Sequence, residues 1–226
     1  YDNGAAIYGR YGTSMVIENC LIYENTATDN AAVYYWGTAG SLRNTTIADN
    51  ITSVDVSGLA NHGTSTQSGG VTVTNCIFWG NNFDEIDEGG PNAYETITVS
   101  YSIIDPTATQ SNDYTDGGNN LTSNPLFTDA SGDDYSIQAL SPATNAGTAV
   151  GMPADDIDGS SRTNPDLGSY VSPCVGPSIT SQPSNGSDVC VGGSPNTMSV
   201  STTGDGLTYQ WYDNGTTNSN AGGSSI

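Results

Sequence analysis

A gapless self-similarity constrains this chain more than any other feature. Val16-Ile17-Glu18-Asn19-Cys20-Leu21-Ile22-Tyr23-Glu24-Asn25 aligns with the segments beginning at Ser41, Thr72 and Thr98. The anchors Asn19, Asn44, Asn75 and Tyr101 follow one another at 25, 31 and 26 residues. A second column pairs Asn3-Gly4-Ala5-Ala6-Ile7-Tyr8 with Asn30-Ala31-Ala32-Val33-Tyr34, with a weaker copy at Ser57-Gly58-Leu59-Ala60. Two residues before the anchor stand Ile17, Leu42, Val73 and Val99. Three after it stand Ile22, Ile47, Phe78 and Ile104, and one after it the small Cys20, Thr45, Cys76 and Ser102. Short period-2 runs broken by Asn and Gly are strand signals, and no 3.6 spacing competes with them. A unit of about 25 residues cannot bury its own apolar face, whereas stacked units make a continuous core.

The N-C-x-I/F-x-x-N and N-G-A-A-I-Y signatures resemble the right-handed parallel β-helix of the pectin-lyase-like superfamily. The resemblance spans residues 1 to 105 as coils. Asn124-Pro125-Leu126-Phe127 through Asn145-Ala146-Gly147, Asp156-Ile157-Asp158-Gly159 to Arg162, and Asp166-Leu167-Gly168-Ser169-Tyr170 resemble the closing end of secreted bacterial β-helix proteins. Residues 1–172 are therefore expected to form the C-terminal coils and closing segment of such a domain. With coils about 4.8 Å apart, Asn19, Asn44 and Asn75, and likewise Asn25, Asn50 and Asn81, are expected to form ladders along the stack. Tyr101 interrupts the first of these.

After Tyr170 the composition turns to Pro, Gly and Ser. Residues 173–226, with Leu207-Thr208-Tyr209-Gln210-Trp211-Tyr212, resemble the first half of a bacterial immunoglobulin-like module, which implies a partial β-sandwich with Trp211 in its core. The fold class expected is thus all-β throughout. Cys174 and Cys190 are candidates for a disulfide in a chain read as secreted or cell-surface. Cys20 and Cys76, two coils apart in one column, are too distant for a disulfide, so a paired metal or redox site is weighed against two small buried thiols. The latter reading is preferred. The chain starts and stops inside patterns and is read as a window cut from a longer protein.

Composition narrows function by exclusion. There are three Arg, no Lys, one His and 24 Asp plus Glu, for a formal net charge of -21. Scattered Arg10, Arg43 and Arg162 cannot replace phosphate counterions, which argues against nucleic-acid partners, and no apolar run approaches a membrane span. The resemblance implies carbohydrate chemistry. Its lyases need a cation and a base, for which Arg10, Arg43, Arg162 and His62 are the available groups, His62 in what reads as a solvated turn. Its hydrolases need paired carboxylates, which Asp84-Glu85-Ile86-Asp87-Glu88 offers in what reads as a solvated loop.

Two binding readings remain. Asp156-x-Asp158-Gly159, and more weakly Asp133-Asp134, space carboxylates as Ca²⁺ loops do, against the alternative of an Asp158–Arg162 ion pair. Tyr23 and Trp79, four after their anchors, together with Tyr35 and Trp36 of Tyr34-Tyr35-Trp36, are candidates to stack on sugar rings, against the alternative of packing beneath long loops. The expectation is a non-catalytic region of a secreted or cell-surface bacterial protein acting in adhesion or glycan contact, with an extracellular glycan or a host or cell-surface protein as partner. The rival is the distal part of a polysaccharide lyase or glycoside hydrolase whose groove lies upstream.

Overall fold

The computed structural model describes residues 6–12, 14–28, 30–53, 56–63, 69–88, 95–107, 113–173, 178–181, 200–203, 212–213 and 216–217. The chain divides into two compact units, Tyr1–Pro173 and Cys174–Ile226. The first coil carries β1 (Ile7–Arg10), β2 (Met15–Glu18), β3 (Leu21–Tyr23) and β4 (Thr26–Ala27). The second carries β5 (Val33–Trp36), β6 (Gly40–Arg43), β7 (Thr46–Ala48) and β8 (Ile51–Thr52). Then follow β9 (Val56–His62), β10 (Gly70–Thr74), β11 (Ile77–Trp79), β12 (Asp84–Asp87), β13 (Thr96–Ser100), β14 (Ile103–Ile104) and β15 (Thr115–Gly118). They pair in parallel as three sheets, β1-β5-β9-β12, β2-β6-β10-β13-β15 and β3-β7-β11-β14, with a short β4-β8 pair besides. This is a parallel β-solenoid of about three turns.

The sequence columns are the register. Ile17 pairs with Leu42, Leu42 with Val73 and Val73 with Val99. Ile22, Ile47, Phe78 and Ile104 stack in the third sheet in the same way. Both columns point inward and meet Val33, Tyr35, Leu59 and Ile86 of the first sheet in one core. Turning the chain between sheets requires a left-handed residue, and the anchors supply it: φ is +57° at Asn19, +43° at Asn44, +56° at Asn75 and +48° at Tyr101. The small column then has a polar task. Cys20 Sγ, Thr45 Oγ1, Cys76 Sγ and Ser102 Oγ each donate to the carbonyl two residues earlier, and at Arg43 and Thr74 that carbonyl also accepts the anchor N–H of the preceding coil. Both thiols are free; Cys76 is buried, which pushes its pKa up to about 12, and Cys20 is half-buried.

The two asparagine columns differ. Asn25 N and Nδ2 donate to Asn50 Oδ1, and Asn50 N and Nδ2 donate to Asn81 Oδ1, a true ladder. The anchors instead reach sideways. Asn19 Nδ2 donates to Asp155 O, Asn44 Nδ2 to Asp166 O, and Asn75 Nδ2 to Thr148 O, with only a long 3.4 Å contact between Asn75 and Asn44. The expected anchor ladder is thus replaced by rungs onto the closing segment, because left-handed corners turn these amides out of the stack.

That segment contains β16 (Phe127–Asp129), a single 3₁₀ turn at Ala130–Gly132 and β17 (Asp134–Ile137), antiparallel to β16, followed by irregular turns. It covers the outer side of the third sheet, where Ile77 and Ile103 join Ile137, Ala143 and Leu167 in a second apolar cluster. In the second unit, β18 (Ser178–Ser181) pairs antiparallel with β19 (Ser201–Thr203), and β20 (Tyr212–Asp213) with β21 (Thr216–Thr217). Among the described residues this unit shows only these small antiparallel sheets. Cys174, Cys190 and Trp211 lie outside the described residues. No helix among the described residues is long and apolar enough to cross a membrane.

Candidate functional site

Strand alternation sorts the first sheet into two faces. Val33 and Tyr35 of β5 point into the core, so Tyr34 and Trp36 point out. Parallel register then stacks Tyr8, Tyr34 and Ala60 in one outward row, with Asp87 opposite Ala60, and Arg10, Trp36 and His62 in the next. The Tyr8 and Tyr34 rings are stacked at 5.5 Å, and Trp36 and His62 meet Tyr34 edge-on at 6.0 and 5.3 Å. Tyr11 completes the group, its hydroxyl accepting from Trp36 Nε1 at 3.1 Å and from Arg10 at 3.2 Å. The Arg10 guanidinium lies 4.5 Å above the Tyr11 ring, and these hydrogen bonds lower the Tyr11 pKa.

A hydrogen-bonded chain crosses this face. His62 Nε2 is 2.8 Å from Asp87 Oδ2, and His62 Nδ1 is 3.2 Å from Tyr34 Oη. The three residues come from β5, β9 and β12, so one coil repeat brings each beside the next. His62 is not a solvated turn residue: it ends β9, with its side chain only 26% exposed. Asp84–Asp87 is not a loop but the edge strand of this sheet. Its polarity hid it, because only Ile86 fills an apolar core position, while Glu85 is fully buried at the end of the Asn25–Asn50–Asn81 ladder. Asn81 N and Nδ2 donate to the two Glu85 oxygens. Burial nevertheless raises the Glu85 pKa to about 8, with Asp105 and Asp49 adding in the same direction.

The cations can be accounted for one by one. Arg43 faces Glu18 at 3.7 Å. Arg162 is buried, donating to Asn19 Oδ1 and Gly168 O rather than to Asp158, and burial lowers its pKa. His62 faces Asp87. Arg10 is exposed and is held by a phenol rather than by a carboxylate. In a chain of net charge -21, two of the four basic side chains thus stand on the outer face of the first sheet.

The other candidates fare differently. Tyr35 is 0% exposed, its hydroxyl pointing to Met15 O, so it offers nothing to a sugar. Trp36 is half-buried on the outer face. Tyr23 and Trp79 do point away from the solenoid core, and the closing segment packs against that side without burying either ring completely. Tyr23 packs against Tyr135 at 4.9 Å, and Trp79 is half-buried against the second apolar cluster. Adjacent apolar pairs in strands, Ile77-Phe78 and Ile103-Ile104, were the signal of a sheet buried on both faces.

Asp156 is no open ligand either. Its Oδ1 accepts from Asp158 N and Ser160 N, and its Oδ2 accepts from Val171 N, so it closes a turn. Asp134 Oδ1 likewise accepts from Ser136, and Asp133 is an exposed left-handed residue after the 3₁₀ turn. Among the described residues no group of three His, Cys, Asp or Glu side chains converges on a metal position. Comparison with protein-family models, with curated proteins and with solved structures finds no match.

Proposed function

We propose that this chain is a non-catalytic, glycan-contacting region of a secreted or cell-surface bacterial protein, built as a right-handed β-helix of the pectin-lyase-like kind. The outer face of the first sheet is its contact surface. One observation supports the reading: Tyr8, Tyr11 and Trp36 are gathered over the buried Tyr34 on a single face with Arg10, His62 and Asp87. Aromatic rings supply apolar area for the CH faces of sugars, and fixed polar groups supply hydroxyl partners, the mixture that carbohydrate recognition needs. The test is a glycan array followed by calorimetric titration of the best ligand. Trp36→Ala is expected to weaken binding about tenfold, and an unchanged affinity would sink the assignment.

A second reading rests on the Tyr34–His62–Asp87 chain. Asp87 orients the imidazole, and His62 is placed to exchange a proton with the Tyr34 hydroxyl, an arrangement suited to general acid–base chemistry. With Arg10 on the same face to meet a carboxylate, this is the polysaccharide-lyase alternative. It predicts unsaturated product from uronate polymers, detected by ultraviolet absorbance, and its loss in His62→Ala with binding retained. Binding without product leaves the non-catalytic reading standing.

A further inference from the structure

At the corner after the third sheet, equivalent left-handed positions hold Glu24, Asp49 and Gly80, with φ of +50°, +52° and +74°. The third coil therefore drops a side chain that its two predecessors keep. The space matters: a Cβ on Gly80 would collide with Asp49 Oδ1. What opens beside Gly80 is a cleft of about 380 Å³, at the small end of the about 300–1,000 Å³ of ligand pockets. Trp79 lines it together with Leu126, Phe127 and Gln138 of the closing segment.

The polar groups are held in place. Asp49 Oδ2 accepts from Tyr135 Oη at 2.8 Å, which orients the carboxylate and turns Oδ1 toward Gly80. Gln138 Nε2 is committed to Phe127 O, leaving Oε1 as an acceptor. Leu126 adopts φ of +53°, a costly conformation for a branched side chain. It is kept there by Asn124 Oδ1 accepting from its N–H at 2.8 Å and by Gln138 N donating to its carbonyl at 3.0 Å. Such over-determined strain concentrates at ligand clamps.

We infer that this cleft is a second carbohydrate site, separate from the aromatic face, which receives one neutral pyranose residue. The Trp79 indole takes the CH face of the ring, and Asp49 and Gln138 accept from its hydroxyls. Among the described residues that line the cleft, Asp49 alone carries a charge, in a protein of net charge -21, so an anionic sugar is repelled.

The experiment is a titration of the whole chain with glucose, galactose, mannose, N-acetylglucosamine and glucuronate, followed by NMR of the indole N–H signals and by tryptophan fluorescence. The expected result is saturable binding of at least one neutral sugar, sensed at Trp79, with glucuronate at least about tenfold weaker. Trp79→Ala, and separately Gly80→Asn, which restores a side chain at the corner, are expected to abolish it. Trp36→Ala, the probe of the other surface, leaves it intact, so failure of one site is distinguishable from failure of the other. Silence of the Trp79 signal toward every neutral sugar overturns the inference. So does equal affinity for glucuronate, or binding that survives Gly80→Asn with an unchanged melting temperature.

Discussion

Two asparagine columns run along the same solenoid and solve different problems. Asn25 and Asn50 are each satisfied by the asparagine of the next coil, and the ladder ends where Asn81 donates to Glu85, four residues on. Asn19, Asn44 and Asn75 occupy left-handed corners and bond to Asp155, Asp166 and Thr148, so each rung is satisfied by a chain segment more than 70 residues away. The first column propagates the stack, and the second docks its cover. The same residue type does both because asparagine combines a tolerated left-handed backbone with a donor and an acceptor on a short stem.

The sharpest way to break this contrast is Asn50→Ala. It strands Asn25 N and the carbonyls of Ile22 and Ala48 in a buried corner, with an expected cost of about 3–4 kcal/mol in urea unfolding. Asn50→Gly should cost as much, because this position is not left-handed.

Next comes the end of that ladder. Because the folded pKa of Glu85 is raised from 4.5 to about 8, the native state holds a proton that the unfolded chain has lost in that window. Stability contributed by the neutral form is therefore full below pH 4.5 and is lost as pH rises toward 8. The shift caps this swing at about 5 kcal/mol, and relaxation around the carboxylate should leave roughly half. Glu85→Gln should flatten the pH dependence of the melting temperature between those limits. An unchanged slope would show that the ladder ends on a solvated carboxylate.

Asn44→Ala should cost less, about 2 kcal/mol, and Asn44→Gly should recover roughly 1 kcal/mol of it by removing the backbone strain. Recovery at position 44 with none at position 50 is the signature that separates the two columns. The smallest effect has the opposite sign. Tyr101 occupies the fourth anchor at φ of +48°, so Tyr101→Asn should stabilise the chain by about 0.5–1 kcal/mol, read as a rise in the urea midpoint.

Much of the solenoid was legible because a repeat states its register directly. The residues two before and three after each anchor are cross-strand partners throughout the second and third sheets. The first sheet was harder. Its strands lie in the variable part of the repeat, Tyr35 faces in where Tyr34 and Trp36 face out, and β12 is spelled with carboxylates. Nothing in linear order links Tyr34, His62 and Asp87, which are 28 and 25 residues apart. They meet only because successive coils place them side by side.

The sequence by itself determined that this chain stacks short strands, which columns form the core, and where its corners need asparagine or a small residue. Those properties are local and periodic, so they survive reading one coil at a time. Which outward face stays open was decided by the tertiary structure alone. The closing segment folds back over Tyr23 and leaves Trp79 half-buried beside a cleft, while the face with Trp36 keeps Tyr8, Tyr11 and Arg10 exposed. The physical reason is that strand alternation specifies in from out, but burial of an outward side chain depends on what distant chain covers it.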